Sequence, residues 1–99
     1  MSKKVLWSPL AESDLRFSLL YLESNWNNAV VNQYLNKIDH LVNQITTNPE
    51  QFPLVNNKKK IRKCVVTKHN TIFYREKNEV IEILRIFDTR QNPKKLIYG

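Results

Sequence analysis

The side chains of this sequence that could take part in chemistry are cations, tyrosines and two histidines. The chain has 99 residues, among them 16 lysines and arginines and four tyrosines, but only one cysteine and one glycine. A lone cysteine cannot form an internal disulfide, and the usual metal-ligand sets need several cysteines or histidines. Because the glycine is the last residue, glycine-rich phosphate loops and dinucleotide fingerprints are excluded. Any catalysis would therefore use Arg, Lys, Tyr or His side chains, without a metal or a nucleotide cofactor.

The positive charge of the chain is concentrated in its second half. The net charge is +7, but residues 1–50 carry four basic and five acidic side chains, which gives −1. Residues 51–99 carry twelve basic and four acidic side chains, which gives +8. Such asymmetry indicates an anionic partner, which could be nucleic acid, an acidic protein segment or a membrane surface. The alternative is a basic surface that only keeps the protein in solution.

The length and composition predict a single globular domain over residues 1–99. A hydrophobic fraction of 41% with 25% charged residues is typical of a folded chain. The apolar run before Ser8-Pro9 is too short for a signal-peptide core, and the uncharged stretches are far shorter than a membrane span. Together with the lone thiol, these features predict a cytoplasmic protein without a membrane partner.

Two helices are expected in the first half of the chain. Ser8 and Pro9 provide an N-cap and a proline at the first helical position, and apolar or small residues then recur at helical spacing. The apolar stripe of this helix is wide, which indicates that it is covered on more than one side. Asn27 or Asn28 can cap a second helix, which Pro49 ends. We expect the two helices to form an antiparallel hairpin; a coiled-coil dimer is the alternative for the second stripe.

Strand patterns complete an α+β domain. A first strand is expected over residues 3–7, before the helices, and three more over residues 61–67, 71–76 and 79–87, after a loop at residues 49–60. The predicted order is therefore β-α-α-β-β-β, with the helical hairpin packed on one face of a small, mainly antiparallel sheet.

A tight turn at Lys77-Asn78 should join the last two strands and pair Tyr74 with Ile81. One face of this hairpin would form the core, with Ile72, Tyr74, Ile81, Ile83 and Phe87, and with Arg85 as an ion-pair or hydrogen-bond donor near its end. The other face would carry Phe73, Arg75, Val80, Glu82, Leu84 and Ile86, with Glu82 as the cross-strand partner of Arg75. If uncovered, this second face would be a protein-binding groove. Alternatively, the C-terminal tail with Leu96, Ile97 and Tyr98 folds over it.

Several segments resemble one known family. Residues 7–15, WSPLAESDL, are similar to the opening of RelE/ParE-type toxins, the toxic halves of bacterial type II toxin–antitoxin pairs. Residues 48–53 resemble the end of the family's second helix and the turn after it. Residues 72–75 and 80–87 resemble its last two strands, and residues 88–93 resemble the tail of the branch often called plasmid-stabilization proteins. The resemblance covers almost the whole chain and rests on the order and spacing of these segments.

The resemblance implies a compact toxin that a cognate antitoxin holds inactive. Such an antitoxin is usually acidic in its toxin-binding segment and wraps the toxin with a helix or a strand. We expect it to bind the apolar sheet face, through Phe73, Arg75, Leu84 and Ile86. Operator DNA would be bound only through the antitoxin, and no cofactor or metal is implied.

Members of the family divide by their target. ParE-like toxins poison DNA gyrase, whereas RelE-like toxins cut messenger RNA in the ribosomal A site without a metal. For the nuclease, the candidate catalytic residues are Arg90, Tyr98 and Arg62, and the candidate phosphate contacts are Lys58, Lys60 and Lys63. Because the sequence lacks a clear acid–base pair, the gyrase-directed function is favoured. A third alternative is a partner-binding module on the same fold that is not toxic.

Overall fold

The structure, a computed structural model, describes residues 3–98 as two helices and a five-stranded sheet. In chain order the elements are β1 (Lys4–Trp7), α1 (Pro9–Asn25), α2 (Asn28–Thr47), β2 (Leu54–Asn56), β3 (Ile61–Thr67), β4 (Asn70–Lys77) and β5 (Val80–Asp88), with short 3₁₀ helices at Pro49–Gln51 and Pro93–Lys95. The strands lie in the order β1-β5-β4-β3-β2, and only the β1–β5 pair among them is parallel. The predicted α+β architecture is confirmed, with one strand more than expected: β2 lies within the predicted loop.

Both helices begin at the residues that the sequence suggested. The Ser8 hydroxyl accepts a hydrogen bond from the Ala11 backbone N–H at 3.0 Å, and the Asn27 side chain accepts one from Val30 at 3.1 Å. Each cap satisfies a backbone donor that the first turn of a helix leaves free. α2 ends at Thr47, two residues before the proline that cannot continue it.

The core lies between the helical hairpin and the sheet. It contains the buried side chains of Ala11, Tyr34, Ile38, Ile45, Cys64, Val66, Ile72, Tyr74, Ile81, Ile83 and Ile86. The apolar stripe of α2 is thus used within the chain, as the helical-hairpin prediction requires. Burial also raises the pKa of the Cys64 thiol to about 11, so Cys64 serves as a small apolar residue of this core.

The turn between β4 and β5 lies one residue further along than predicted. It is formed by Asn78 and Glu79, both with positive φ angles of 54° and 66°. Two such residues are typical of the turn that matches the twist of a two-residue hairpin. Tyr74 therefore pairs with Ile83 instead of Ile81, although the same residues still share a face because the loop length remains even.

A β-bulge in β5 changes the faces of its last residues. In the β4–β5 ladder one step along β4 corresponds to two steps along β5, which leaves Leu84 without a paired residue. The alternation is shifted beyond this point, so Ile86 enters the core under the helices and Phe87 joins the opposite face. The predicted positions of these two residues were wrong, because a period of two in the sequence cannot reveal an inserted residue.

The C-terminal tail covers the face of the sheet that points away from the helices. Ile61, Phe73, Leu84 and Phe87 form a second buried cluster there, against which Leu96 and Tyr98 pack. The ring centroids of Phe73 and Tyr98 are 5.8 Å apart. Of the two alternatives for this face, the structure has the one in which the tail folds over it.

Candidate functional site

A groove on the helix side of the molecule exposes large aromatic side chains. It has a volume of about 650 Å³ and lies between α1, α2 and the neighbouring ends of β3, β4 and β5. Phe17, Tyr21 and Trp26 of this groove are 75%, 51% and 62% exposed. Exposed aromatic rings that line one groove are typical of a surface that binds a partner. We call this surface, defined by Phe17, Tyr21, Trp26, Val30 and Arg90, the aromatic groove.

The floor of the aromatic groove is neutral and held by hydrogen bonds. The Tyr34 hydroxyl donates to the Asn70 side-chain oxygen at 2.6 Å, and the Asn70 amide donates to the His69 carbonyl at 3.0 Å. Desolvation of the Tyr34 ring raises its pKa, which keeps the hydroxyl protonated. This hydrogen-bonded part of the groove is therefore a fixed, neutral surface, whereas Asp14, Lys37, Asp88 and Arg90 also line the groove and bring charge to it.

Arg90 lies at one end of the aromatic groove, where it is paired with Asp88. Its Nη2 and Nε atoms donate to the two carboxylate oxygens at 2.8 and 3.1 Å, and its backbone N–H donates at 2.9 Å. The pairing lowers the pKa of Asp88 and raises that of Arg90. Because half of the Arg90 side chain is exposed, its remaining donors can still reach a partner in the groove.

A second, more buried ion pair connects the groove with the tail. Asp14 lines the groove and accepts two hydrogen bonds from Arg85, at 2.7 and 2.9 Å, and a third from the backbone N–H of Ile86 at 3.0 Å. Arg85, whose pKa is raised by this carboxylate, donates in turn to the Ile97 carbonyl at 2.9 Å. The expected role of Arg85 as an ion-pair donor is confirmed, but its partner is separated from it by 71 positions and was missed.

Residues at the start of α1 also provide hydrogen-bond partners for backbone groups at the free edge of β5. β1 pairs with β5 only as far as Ile83, so the following backbone groups have no neighbouring strand on that side. The Ser8 hydroxyl donates to the Leu84 carbonyl at 2.7 Å, and Asp14 accepts from Ile86 one pleat further on. These contacts fix the position of α1, and with it one wall of the aromatic groove, against the sheet.

The opposite side of the sheet carries a smaller pocket with a basic rim. It has a volume of about 450 Å³ and is lined by Lys59, Ile61, Arg75, Leu84, Leu96, Ile97 and Tyr98. Arg75 donates to Glu82 at 2.9 Å, which confirms the predicted cross-strand pair. Partial burial raises the pKa of Tyr98, whose ring packs on Phe73. We call this site the tail pocket, because the C-terminal tail forms part of it.

The structure does not bring the three candidate catalytic residues together. Arg90 lies in the aromatic groove, whereas Tyr98 lies in the tail pocket. Arg62 lies on the helix side of the sheet and donates to the carbonyls of Phe52 and Glu50, at 2.7 and 3.3 Å. Arg62 thus holds the chain after α2 in place. The three candidate side chains therefore lie in three different parts of the molecule.

The other candidate residues are also distributed over different surfaces. Of the residues expected to bind the antitoxin, Ile86 lies in the core, Phe73 and Leu84 lie under the tail, and Arg75 lies in the tail pocket. The candidate phosphate contacts Lys58, Lys60 and Lys63 are exposed. In the part of the chain that the structure describes, no three acidic, histidine or cysteine side chains are placed to hold a metal ion. None of the helices within residues 3–98 is long and apolar enough to span a membrane.

Comparison with known proteins identifies the family. The family model of the ParE toxin of type II toxin–antitoxin system, parDE, matches residues 5–93. A search of curated protein sequences found no match.

Solved structures share the fold at low sequence identity. The chromosomal ParDE system from P. aeruginosa superposes with a TM-score of 0.73 at 17% identity, over 88% of this chain and 96% of that one. The YoeB/ParE toxin from Agrobacterium tumefaciens has a TM-score of 0.62 at 14% identity, over 86% and 96% of the two chains. The DinJ-YafQ toxin–antitoxin complex of E. coli also gives 0.62 at 14%, over 91% and 96%. With a family match that runs from β1 to beyond β5, the chain belongs to the ParE toxin family of type II toxin–antitoxin systems.

Proposed function

We propose that this toxin poisons DNA gyrase by binding to it, and that a cognate acidic antitoxin neutralises it. The observation that carries the proposal is the separation of Arg90, Tyr98 and Arg62 on three different parts of the molecule. RNA cleavage without a metal needs a base, an acid and a cation around one phosphate. Side chains that do not meet cannot share these roles, so a toxin that acts by binding agrees better with the geometry.

The aromatic groove is the surface that we propose for the antitoxin. The sheet face expected for this role lies under the tail, whereas Phe17, Tyr21 and Trp26 are open to solvent. An amphipathic helix could lay its apolar side on these rings. Lys37 and Arg90 line this groove and could pair with carboxylates of an acidic segment. Operator DNA would then be reached through the antitoxin.

A gyrase assay tests the proposed target. The chain expressed alone should stop growth, and co-expression of its antitoxin should restore it. The purified toxin should block supercoiling of relaxed plasmid by gyrase and increase the amount of cleaved, linear DNA. Toxicity in cells together with unchanged supercoiling at a large excess of toxin would contradict the proposal, and an absence of any growth defect would favour the non-toxic binding module.

A second candidate function is ribosome-dependent cleavage of messenger RNA. It is favoured by one observation, the meeting of Lys59, Arg75 and Tyr98 in the tail pocket. Primer extension on ribosome-bound messages would detect the cuts. Tyr98→Phe and Arg75→Ala should then abolish them, and Arg90→Ala should leave them in place because Arg90 lies in the other groove. Unchanged transcripts in growth-arrested cells would exclude this function.

A further inference from the structure

We propose that the side of the sheet opposite the helices binds the phosphates of double-stranded DNA, so that the toxin contacts the DNA held by gyrase as well as the enzyme. This inference rests on the proposed gyrase-directed function. We call this surface the basic face and define it by Lys4, Lys59, Lys63, Arg75, Lys77 and Lys95.

Strand pairing places these cations on one side. Lys63 pairs with Phe73, and Arg75 and Lys77 follow Phe73 at alternate positions of β4. Lys77 pairs with Val80, which pairs with Lys4, so these positions also share the face. Lys59 lines the tail pocket on the same side. Lys95 belongs to the tail that packs there, because its carbonyl accepts a hydrogen bond from Arg85.

Carboxylates hardly offset this charge. Among the described strand residues, Glu82 is the acidic side chain that the pairing places on the basic face, and it is bonded to Arg75. The helices on the other side have the opposite balance: they carry Arg16 and Lys37 against Glu12, Asp14, Glu23 and Asp39, which gives 2 − 4 = −2. The positive potential of the molecule is therefore directed to one side, as is required to orient it on a polyanion.

The kind of nucleic acid follows from the position of the aromatic side chains. Proteins that bind single strands stack unpaired bases on exposed aromatic rings. On the basic face, Tyr98 is half-buried against Phe73, whereas the exposed rings Phe17, Tyr21 and Trp26 all lie in the aromatic groove. Lysines without exposed rings suit the phosphate backbone of a duplex, which they contact without reading its sequence.

The salt dependence of DNA binding tests the proposal. Fluorescence anisotropy with a labelled duplex of 24 base pairs should give binding that weakens with salt and does not depend on the sequence. Each phosphate contact adds about 0.9 to the slope of log K against log salt concentration. The triple substitution of alanine for Lys59, Lys63 and Lys95 should therefore reduce the slope by about 3.

A matched pair of charge reversals tests whether duplex binding depends on the position of a charge or only on the net charge of the protein. Lys63→Glu and Arg16→Glu change the net charge equally, at exposed residues on opposite sides of the molecule. Lys63→Glu should weaken duplex binding about tenfold, whereas Arg16→Glu should change it less than twofold; thermal melting would show that both variants are folded. Equal effects of the two, or no duplex binding by the unmodified toxin, would overturn the proposal. Tighter binding to single-stranded RNA than to the duplex would overturn it in favour of RNA.

The supercoiling assay distinguishes this inference from the function on which it rests. If both hold, Lys63→Glu should inhibit gyrase less than the unmodified toxin does, and Arg16→Glu should inhibit it fully. A toxin that inhibits gyrase but does not bind the duplex would refute only the DNA contact. A toxin that binds the duplex but leaves gyrase active would refute only the gyrase target.

Discussion

The two sides of the sheet differ in what they leave open to solvent. On the helix side aromatic rings are exposed, and Arg90 beside them is paired with the Asp88 carboxylate. On the other side the apolar cluster is covered by the chain's own tail, and lysines surround it. Exposed aromatic rings gain free energy when a stable partner removes them from water. Exposed lysines, in contrast, are well hydrated without a partner and bind anions reversibly. This difference is the reason why we propose the stable interface at the aromatic groove and the salt-sensitive one at the basic face.

The largest effect is expected from removal of the ion pair that joins the two sides. Asp14→Ala leaves Arg85, whose side chain is 10% exposed, without its carboxylate and should lower the free energy of unfolding by about 3–5 kcal/mol. Urea denaturation followed by circular dichroism measures the loss. Glu12→Ala, at an exposed acidic residue of the same helix, is the control and should cost less than about 1 kcal/mol. Equal losses of stability in the two variants would show that the pair between Asp14 and Arg85 does not stabilise the fold.

The next largest effect is expected on the affinity of the aromatic groove for the antitoxin. Trp26→Ala should raise the Kd for the cognate antitoxin about 30-fold, since a central tryptophan at an interface contributes about 2 kcal/mol or more. Titration calorimetry measures the affinity. Leu20→Ala is the control, because Leu20 of α1 is exposed to a similar extent, at 54%, but does not line the groove. If the control weakens binding as much, the antitoxin covers a different surface of α1.

A smaller effect is expected where the tail covers the opposite face. Tyr98→Ala removes the ring that packs on Phe73 and should cost about 1–2 kcal/mol of stability, from lost apolar burial and the lost aromatic pair. Tyr98→Phe keeps the ring and should melt at the same temperature as the unmodified protein. Thermal denaturation of the two variants decides the point: an equal loss in both would mean that the hydroxyl, and not the ring, holds the tail.

The smallest effect is a gain in stability that should leave both surfaces unchanged. Glu79 has a φ of 66°, a conformation that costs a residue with a Cβ about 1 kcal/mol and glycine almost nothing. Glu79→Gly also removes the exposed ion pair between Glu79 and Lys3, but such pairs contribute little, so the substitution should stabilise the hairpin by up to about 1 kcal/mol and raise Tm by up to about 4–8 °C. Asn78→Gly should gain less, since asparagine tolerates positive φ. Scanning calorimetry compares the two, and a lower Tm for Glu79→Gly would refute this account of the turn.

The elements of the fold could be predicted from local signals. Ser8, Pro9 and Asn27 mark where the helices begin, and the strands β3 to β5 are close to their predicted bounds. β2 escaped prediction because its three residues follow a proline and end at the first of two consecutive asparagines, which is a loop composition. The bulge at Leu84 escaped because only the pairing of two strands reveals it.

The site was less predictable, since it depends on contacts between distant segments. Asp14 is one of several acidic residues of α1, and nothing in the sequence connects it with Arg85, 71 positions away. The wide apolar stripe of α1 did carry a signal: the surplus rings Phe17 and Tyr21 now line the aromatic groove. Arg90 and Tyr98 are close in sequence, but the tail takes them to different sides of the sheet, and sequence distance alone gives no hint of that.

We expect the buried pair between Asp14 and Arg85 to couple the two sides of the sheet. Asp14 forms part of the groove, and the guanidinium that it holds also fixes the tail carbonyls of Lys95 and Ile97 on the far side. A ligand that moves Asp14 thereby moves the support of the tail. Thermodynamic reciprocity requires that each ligand then change the affinity of the other by the same factor. An antitoxin seated in the groove could thus release the toxin from its target without touching the surface that holds it.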